Sequence, residues 1–257
     1  MAGSYINGAG LVTFLDEVDT SCALNASDYT IGRAVVDART FCGNAQVPGK
    51  RDVGTSFGGY GYFGAGEYEE QLNARLVSAA DVRVLTVYGS TAGSRYYEVA
   101  GPLSGEKLTA SPSELIGLSG EVPGGETLNR GLTLHVNQAF TATGAQTGQN
   151  VGAVAATETW VGVVRVKAVG GAGSITFRFD ESSDNAAGDP YAQITGTTVA
   201  VIGTGTAGTD AATFTGTGMA VFTKAGAVEA WRRLNITAYA TFTSVTLTVT
   251  TGTQMPG

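Results

Sequence analysis

From Val53 to Phe63 the chain alternates. Val53, Thr55, Phe57, Gly59, Gly61 and Phe63 fall on one face, and Ser56, Tyr60 and Tyr62 on the other. A period of two over this length predicts a strand, and its glycines leave room for another backbone to approach. The same periodicity predicts strands near Gly10–Leu15, over Tyr29–Phe41, Val82–Tyr88, Arg95–Ala100 and Leu115–Val122, and over Leu128–Phe140. Thr91-Ala92-Gly93-Ser94 reads as the turn of a hairpin. The exception is Glu67–Val77, where Tyr68, Leu72 and Leu76 recur at helical spacing. Glu67, Glu69 and Glu70 stand in its first turn and Arg75 near its end, as the helix dipole favours. This predicts one short amphipathic helix with Tyr68, Leu72 and Leu76 as its core contacts.

Residues 141–153 are polar and rich in Gly and Thr, which marks a plausible domain boundary. Beyond them Thr159–Val169 alternates, with Arg165 and Lys167 expected outward and Val164, Val166 and Ala168 inward. Ile175–Phe179, Ala192–Ile202, Met219–Phe222, Trp231–Tyr239 and Val245–Thr250 complete a second strand-rich half. Short strands with frequent turn signals predict β-sandwiches of the jelly-roll or immunoglobulin-like kind. The predicted class is therefore all-β with one short flanking helix: a sandwich or barrel-forming domain over 1–143, and a second β-sandwich over 144–257.

Composition narrows the function. Charged residues are sparse, and no run of 18 apolar residues exists to span a membrane. The first ten residues carry neither the basic nor the apolar part of a secretory signal. The net charge of −7 argues against ordinary phosphate-backbone binding. It is concentrated in residues 1–143, at −6, against −1 for residues 144–257. Cys22 and Cys42 read as reduced thiols, although spacing leaves a disulfide open.

No catalytic constellation is visible. His135 is the only histidine; its alternation with Leu134 and Val136 puts it on the polar face, without a partner for nucleophilic chemistry. No phosphate loop or nucleophile elbow is present. Asp180, Asp184 and Asp189 read as turn formers rather than calcium ligands, and Asp16, Glu17 and Asp19 as a solvated acidic turn. No enzyme, metal site or cofactor is expected.

The feature without a ready explanation is Thr40–Gly61, a long polar connection between two strands. Around it, Ala34–Phe63 resembles the major tail tube proteins of long, non-contractile bacteriophage tails. The matching positions are Asp37, Thr40, Phe41 and Gly43, then Pro48-Gly49, then Ser56, Gly58 and Gly59; Cys42 interrupts the Thr-Phe-Gly pattern. The helix, a hairpin with Gly93 and the strands at Leu115–Val122 and Leu128–Gly144 continue in family order. In the second half, Trp160–Val169, Ser183–Asn185, Arg232-Arg233 and Phe242–Val249 look like modules appended to such proteins.

The resemblance implies a structural virion protein, assembled in the host cytoplasm, whose hexameric rings stack into the tube that delivers phage DNA. Residues 1–143 would form the ring and its lumen, and 144–257 the exterior. Gly43, Val47, Pro48, Gly49, Lys50, Arg51 and Asp52 would be the ring-stacking loop, meeting an acidic patch of Asp16, Glu17 and Asp19 on the next ring. An acidic lumen would repel DNA without binding it. Expected partners are other copies, a tape-measure protein, the tail terminator and tail-tip proteins, with no membrane contact. The alternative is a surface, carbohydrate-binding or capsid decoration β-sandwich, with Trp160, Tyr191 and Trp231 as a sugar platform.

Overall fold

The computed structural model describes residues 11–21, 24–40, 43–60, 68–78, 81–109, 117–123 and 127–256. These form strands β1 (Leu11–Leu15), β2 (Val18–Asp19), β3 (Leu24–Thr40) and β4 (Gly43–Tyr60), then helix α1 (Tyr68–Ser78). Strands β5 (Asp81–Tyr88), β6 (Arg95–Pro102), β7 (Gly105–Thr109), β8 (Gly117–Val122) and β9 (Thr127–Phe140) follow. The remainder are β10 (Gly144–Ala145), β11 (Gln149–Asn150), β12 (Thr159–Gly170), β13 (Ser174–Ser182), β14 (Ala192–Gln193), β15 (Thr198–Ala207), β16 (Ala212–Ala225), β17 (Trp231–Ala240) and β18 (Ser244–Pro256). Among the described residues the protein is thus nearly all β, with antiparallel pairing and one short helix, as its periodicity predicts. Cys22 and Cys42 lie outside the described residues.

Two compact units share the chain. One comprises Met1–Asp19, Leu85–Tyr97 and Asn129–Met255, the other Thr20–Val84, Glu98–Leu128 and Pro256–Gly257. The division therefore does not run through the polar stretch 141–153. Residues 1–143 contribute to both units, and the chain passes between them within β5, β6 and β9.

The first unit is built on a sheet ordered β10-β17-β13-β16-β12-β18-β9-β6-β5-β1-β2, with β11, β14 and β15 added to β17, β13 and β16. Strand β16 turns the corner. Ala212–Phe214 pair with β13, whereas Gly218–Ala225 pair with β12. A side chain on Gly218 would meet the Ile202 carbonyl and the Phe214 ring, so the corner requires glycine there. The sheet turns back over one core, in which Leu134, Trp160, Val164, Phe177, Phe179, Phe222, Leu234 and Val249 are buried together. Phe179 meets Trp160 and Phe222 edge-on, each at 5.2 Å between centroids, the arrangement that ring quadrupoles favour.

Strand β12 is buried on both faces. Trp160, Val164 and Val166 enter the main core, while Val161 and Val163 pack with Met219 and Val221 on the other side. Arg165 shares that second face and is fully buried, not outward as the alternation suggested. The Phe14 ring lies 5.6 Å from its guanidinium carbon, and its Nε donates to the Asp16 carbonyl at 2.7 Å. Period two identifies faces but does not say whether both are covered.

The second unit carries the sheet β3-β4-β8-β7 and helix α1, which lies beside β7. Leu72 is fully buried and Leu76 half-buried, while Glu70 and Asn73 are exposed. Tyr68 opens the helix. Val53, Thr55 and Phe57 are buried and Ser56 is exposed, following the period of two.

Candidate assembly surface

The described part of Thr40–Gly61 is strand rather than irregular loop. Gly43–Tyr60 is one strand, paired along its length with β3 from Leu24↔Gly59 to Thr40↔Gly43. The polar composition had suggested a connection, but polarity also suits a strand with few neighbours in its own chain. Pro48 and Gly49 do not shape a loop. Pro48 stands opposite Val35 and Arg51 opposite Arg33, so β4 gains one residue over β3 at Gly49–Lys50. Such a bulge twists the strand and is one of the few places where a strand tolerates proline.

The pairing of this hairpin is lopsided. Strand β4 meets β8 only from Thr55 to Tyr60, opposite Val122 to Gly117. Beyond that, among the described residues Gly43–Gly54 pairs with β3 alone, and β3 is an edge of the sheet. Among the described residues, the outer part is a two-stranded ribbon about 40 Å long at a rise of about 3.4 Å per residue. The predicted stacking residues Gly43, Val47, Pro48, Gly49, Lys50, Arg51 and Asp52 all stand on it.

The acidic trio is less available than the sequence suggests. Asp16 sits in the tight turn between β1 and β2 with φ at 52° and is buried. Asp19 is paired with Lys167 and accepts a bond from Asn137 Nδ2 at 3.4 Å. Glu17 differs: its Oε2 is buried and has no hydrogen-bond partner.

Other candidate residues serve the first unit itself. His135 is buried, not on a polar face. Its Nδ1 donates to Gln138 Oε1 at 2.6 Å, and the ring meets Phe140 edge-on at 5.2 Å. Burial holds its pKa below the usual histidine range, against the opposing effect of the Gln138 bond. Asp180 is buried and accepts bonds from Arg178 Nε at 2.9 Å, Asn235 Nδ2 at 2.8 Å and Arg233 Nη2 at 3.3 Å. Asp184 accepts the Gly188 and Asp189 amides at 2.6 and 3.1 Å, and Asp189 accepts the Ser183 amide at 2.8 Å. These are turn roles. Among the described residues, no group of three or more His, Cys, Asp or Glu side chains is arranged to hold a metal. No helix among them is long and apolar enough to cross a membrane.

The sugar platform does not assemble. Trp160 is fully buried, and its indole donates to Thr251 Oγ1 at 2.8 Å. Tyr191 stacks under Arg233, whose guanidinium carbon lies 4.0 Å from the ring centroid, and donates to Asn185 at 2.8 Å.

No family model matches this chain, and no curated protein matches it. Solved structures similar to it include the SPP1 tail tube, at 13% identity and a TM-score of 0.37, over 48% of this chain and 80% of that one. The tail of an empty gene transfer agent particle, refined with C6 symmetry, matches at 12% identity and a TM-score of 0.35, over 49% and 97%. The SPP1 Dit protein, described as a paradigm of the hub adsorption apparatus in phages infecting Gram-positive hosts, matches at 10% identity and a TM-score of 0.31, over 94% and 98%. The structural neighbours are thus phage tail tube and hub proteins. At TM-scores below 0.5 these likenesses carry no functional weight of their own.

Proposed function

We propose that the chain is a non-enzymatic structural subunit of a phage tail. Its copies form rings, hexameric in the reading the sequence resemblance favours, and the rings stack into a tube that passes DNA. The observation that carries this reading is the outer β3–β4 ribbon. A two-stranded hairpin is marginally stable in water, and among the described residues one edge of each strand has no pairing strand over Gly43–Gly54 and its complement in β3. Open strand edges invite pairing with another chain. Repetition of a head-to-tail contact along one axis gives a filament.

Charge supports a specific landing place. Residues 30–54 carry four Lys and Arg against two Asp, net +2, in a chain of net −7. The register sets Arg33 opposite Arg51. An acidic surface on another copy would complement the positive charge of this stretch. Of the expected trio, Glu17 has one buried carboxylate oxygen without a hydrogen-bond partner. In this reading residues 1–143 supply ring and lumen and 144–257 the exterior. This functional division falls elsewhere along the chain than the two compact units. Tape-measure, terminator and tail-tip proteins would be its partners in the virion.

The test replaces residues 33–51 with the two-residue turn Asn-Gly, which suits a hairpin closed at Gly32 and Asp52. The shortened protein should keep the wild type's thermal unfolding midpoint but sediment as subunits or single rings. Tubes formed by this variant at the wild-type concentration would overturn the reading.

A further inference from the structure

A cavity of about 360 Å³ in the first unit is lined by Arg95, Arg130 and Arg232, with Tyr97, Gly152 and Gly252 among its walls. No Asp or Glu lines it among the described residues. Three arginines around a space without a carboxylate are unexpected in an acidic chain. The site is also independent of the assembly surface.

Arg232 is the anomalous member. It is 0% exposed, on β17. Its Nη2 donates to the Gly152 carbonyl, but Nε and Nη1 have no hydrogen-bond partner. Tyr96, which also lines the cavity, and then Glu181, opposite it on β13, favour its charge. However, Glu181 is engaged elsewhere: Oε2 accepts the Glu229 amide at 2.7 Å, and Oε1 lies 3.8 Å from Lys224 Nζ. Burial lowers the guanidinium pKa to about 10, so it remains protonated at neutral pH. A buried cation with unmet donors is costly to fold around. A bound anion would meet those donors.

A side chain on Gly131 or Gly252 would run into the neighbouring strand, so β9 and β18 approach closely beside the cavity. Gly152 has φ at 82°, a conformation that other residues rarely adopt, and the position where its Cβ would stand is empty. Arg95 and Arg130 are exposed beside the buried Arg232.

We propose that this cavity binds a small oxyanion, a phosphate or carboxylate group, with Arg232 as the buried donor and Arg95 and Arg130 completing the charge around it. Guanidinium donors match the spacing of both groups, and charge-assisted bonds in a water-poor site are the strong ones.

The experiment is a thermal unfolding titration of the full chain with sodium phosphate and, separately, sodium acetate, each against sodium chloride at matched ionic strength. Phosphate also stabilises proteins by exclusion from their surface, so variants decide the outcome. Wild type should show a saturable rise in midpoint with at least one of the two anions, and the anion that produces it identifies the ligand group. Arg232→Met keeps an unbranched side chain in the interior while removing the guanidinium donors, and it should lose the saturable rise. Arg95→Gln with Arg130→Gln, which leaves the interior intact, should raise the half-saturating concentration about tenfold or more. Equal titrations for wild type and the double variant, or no rise above the chloride control with either anion, would overturn the proposal. The assembly reading would survive that failure.

Discussion

Asp180 shows how a residue that looks chemical in the sequence becomes structural in the fold. Its two oxygens take donors from Arg178, Arg233 and Asn235 inside the first unit. Asp180→Ala would leave two guanidinium groups short of a partner, and we expect a loss of about 3 kcal/mol in urea unfolding. Asp180→Asn should lose less, since it keeps an acceptor. His135 supplies a pH test. Its folded pKa is depressed, so its contribution to stability is complete above about 6.5 and is lost as pH falls below that value. Stability of the wild type should therefore fall more between pH 7 and 5 than that of His135→Gln; parallel curves would refute the assignment. Neither His135 nor Arg165 was placed correctly by alternation. Each belongs to a strand face that other strands cover, and that cover comes from residues far away in sequence, such as Phe14 over Arg165.

At the scale of elements, α1 and most strands were legible because their periodicity is local. Glu67–Val77 was expected and Tyr68–Ser78 is the helix; Val53–Phe63 was expected and continues a strand that ends at Tyr60. The first part of β4 was not legible. Pro, Gly and three charged residues in Pro48–Asp52 are turn chemistry in isolation. The pairing partner that makes them a strand is a β3 residue more than ten positions earlier, for example Val35 opposite Pro48. The consequence for assembly is a bulged arm rather than a loop, with Lys50 at the bulge. Lys50→Glu with Arg51→Glu should raise the concentration needed for tube formation on the order of tenfold and make it less sensitive to salt. Adding Glu17→Lys should recover part of the loss. If assembly of the double variant matches wild type in sedimentation, the ribbon joins rings by backbone and shape alone.

For the whole molecule, the two compact units change what a truncation means. Residues 144–257 look appended along the sequence, yet the first unit also takes residues before Asp19 and around Leu85–Tyr97. Arg165 bonds the Asp16 carbonyl, Lys167 pairs with Asp19, and Tyr239 donates to the Phe140 carbonyl at 3.1 Å. A chain ending at residue 143 would remove Arg165 from over the Phe14 ring and lose these bonds. It should show no cooperative unfolding transition of the first unit by calorimetry, even if 144–257 faces outward in the particle. An all-β class with antiparallel strands was readable from strand spacing. The interleaving of N-terminal strands with the later ones was not, because it depends on non-local pairing that leaves no periodic signal.

The central claim is that copies of this chain join through the outer β3–β4 ribbon. Electron cryo-microscopy of the purified full-length protein tests it most directly. The account predicts hollow stacked rings in which the strand pair around Pro48–Asp52 lies against the next ring. Particles that remain single subunits at tens of micromolar, or tubes in which this ribbon touches no neighbouring copy, would contradict it.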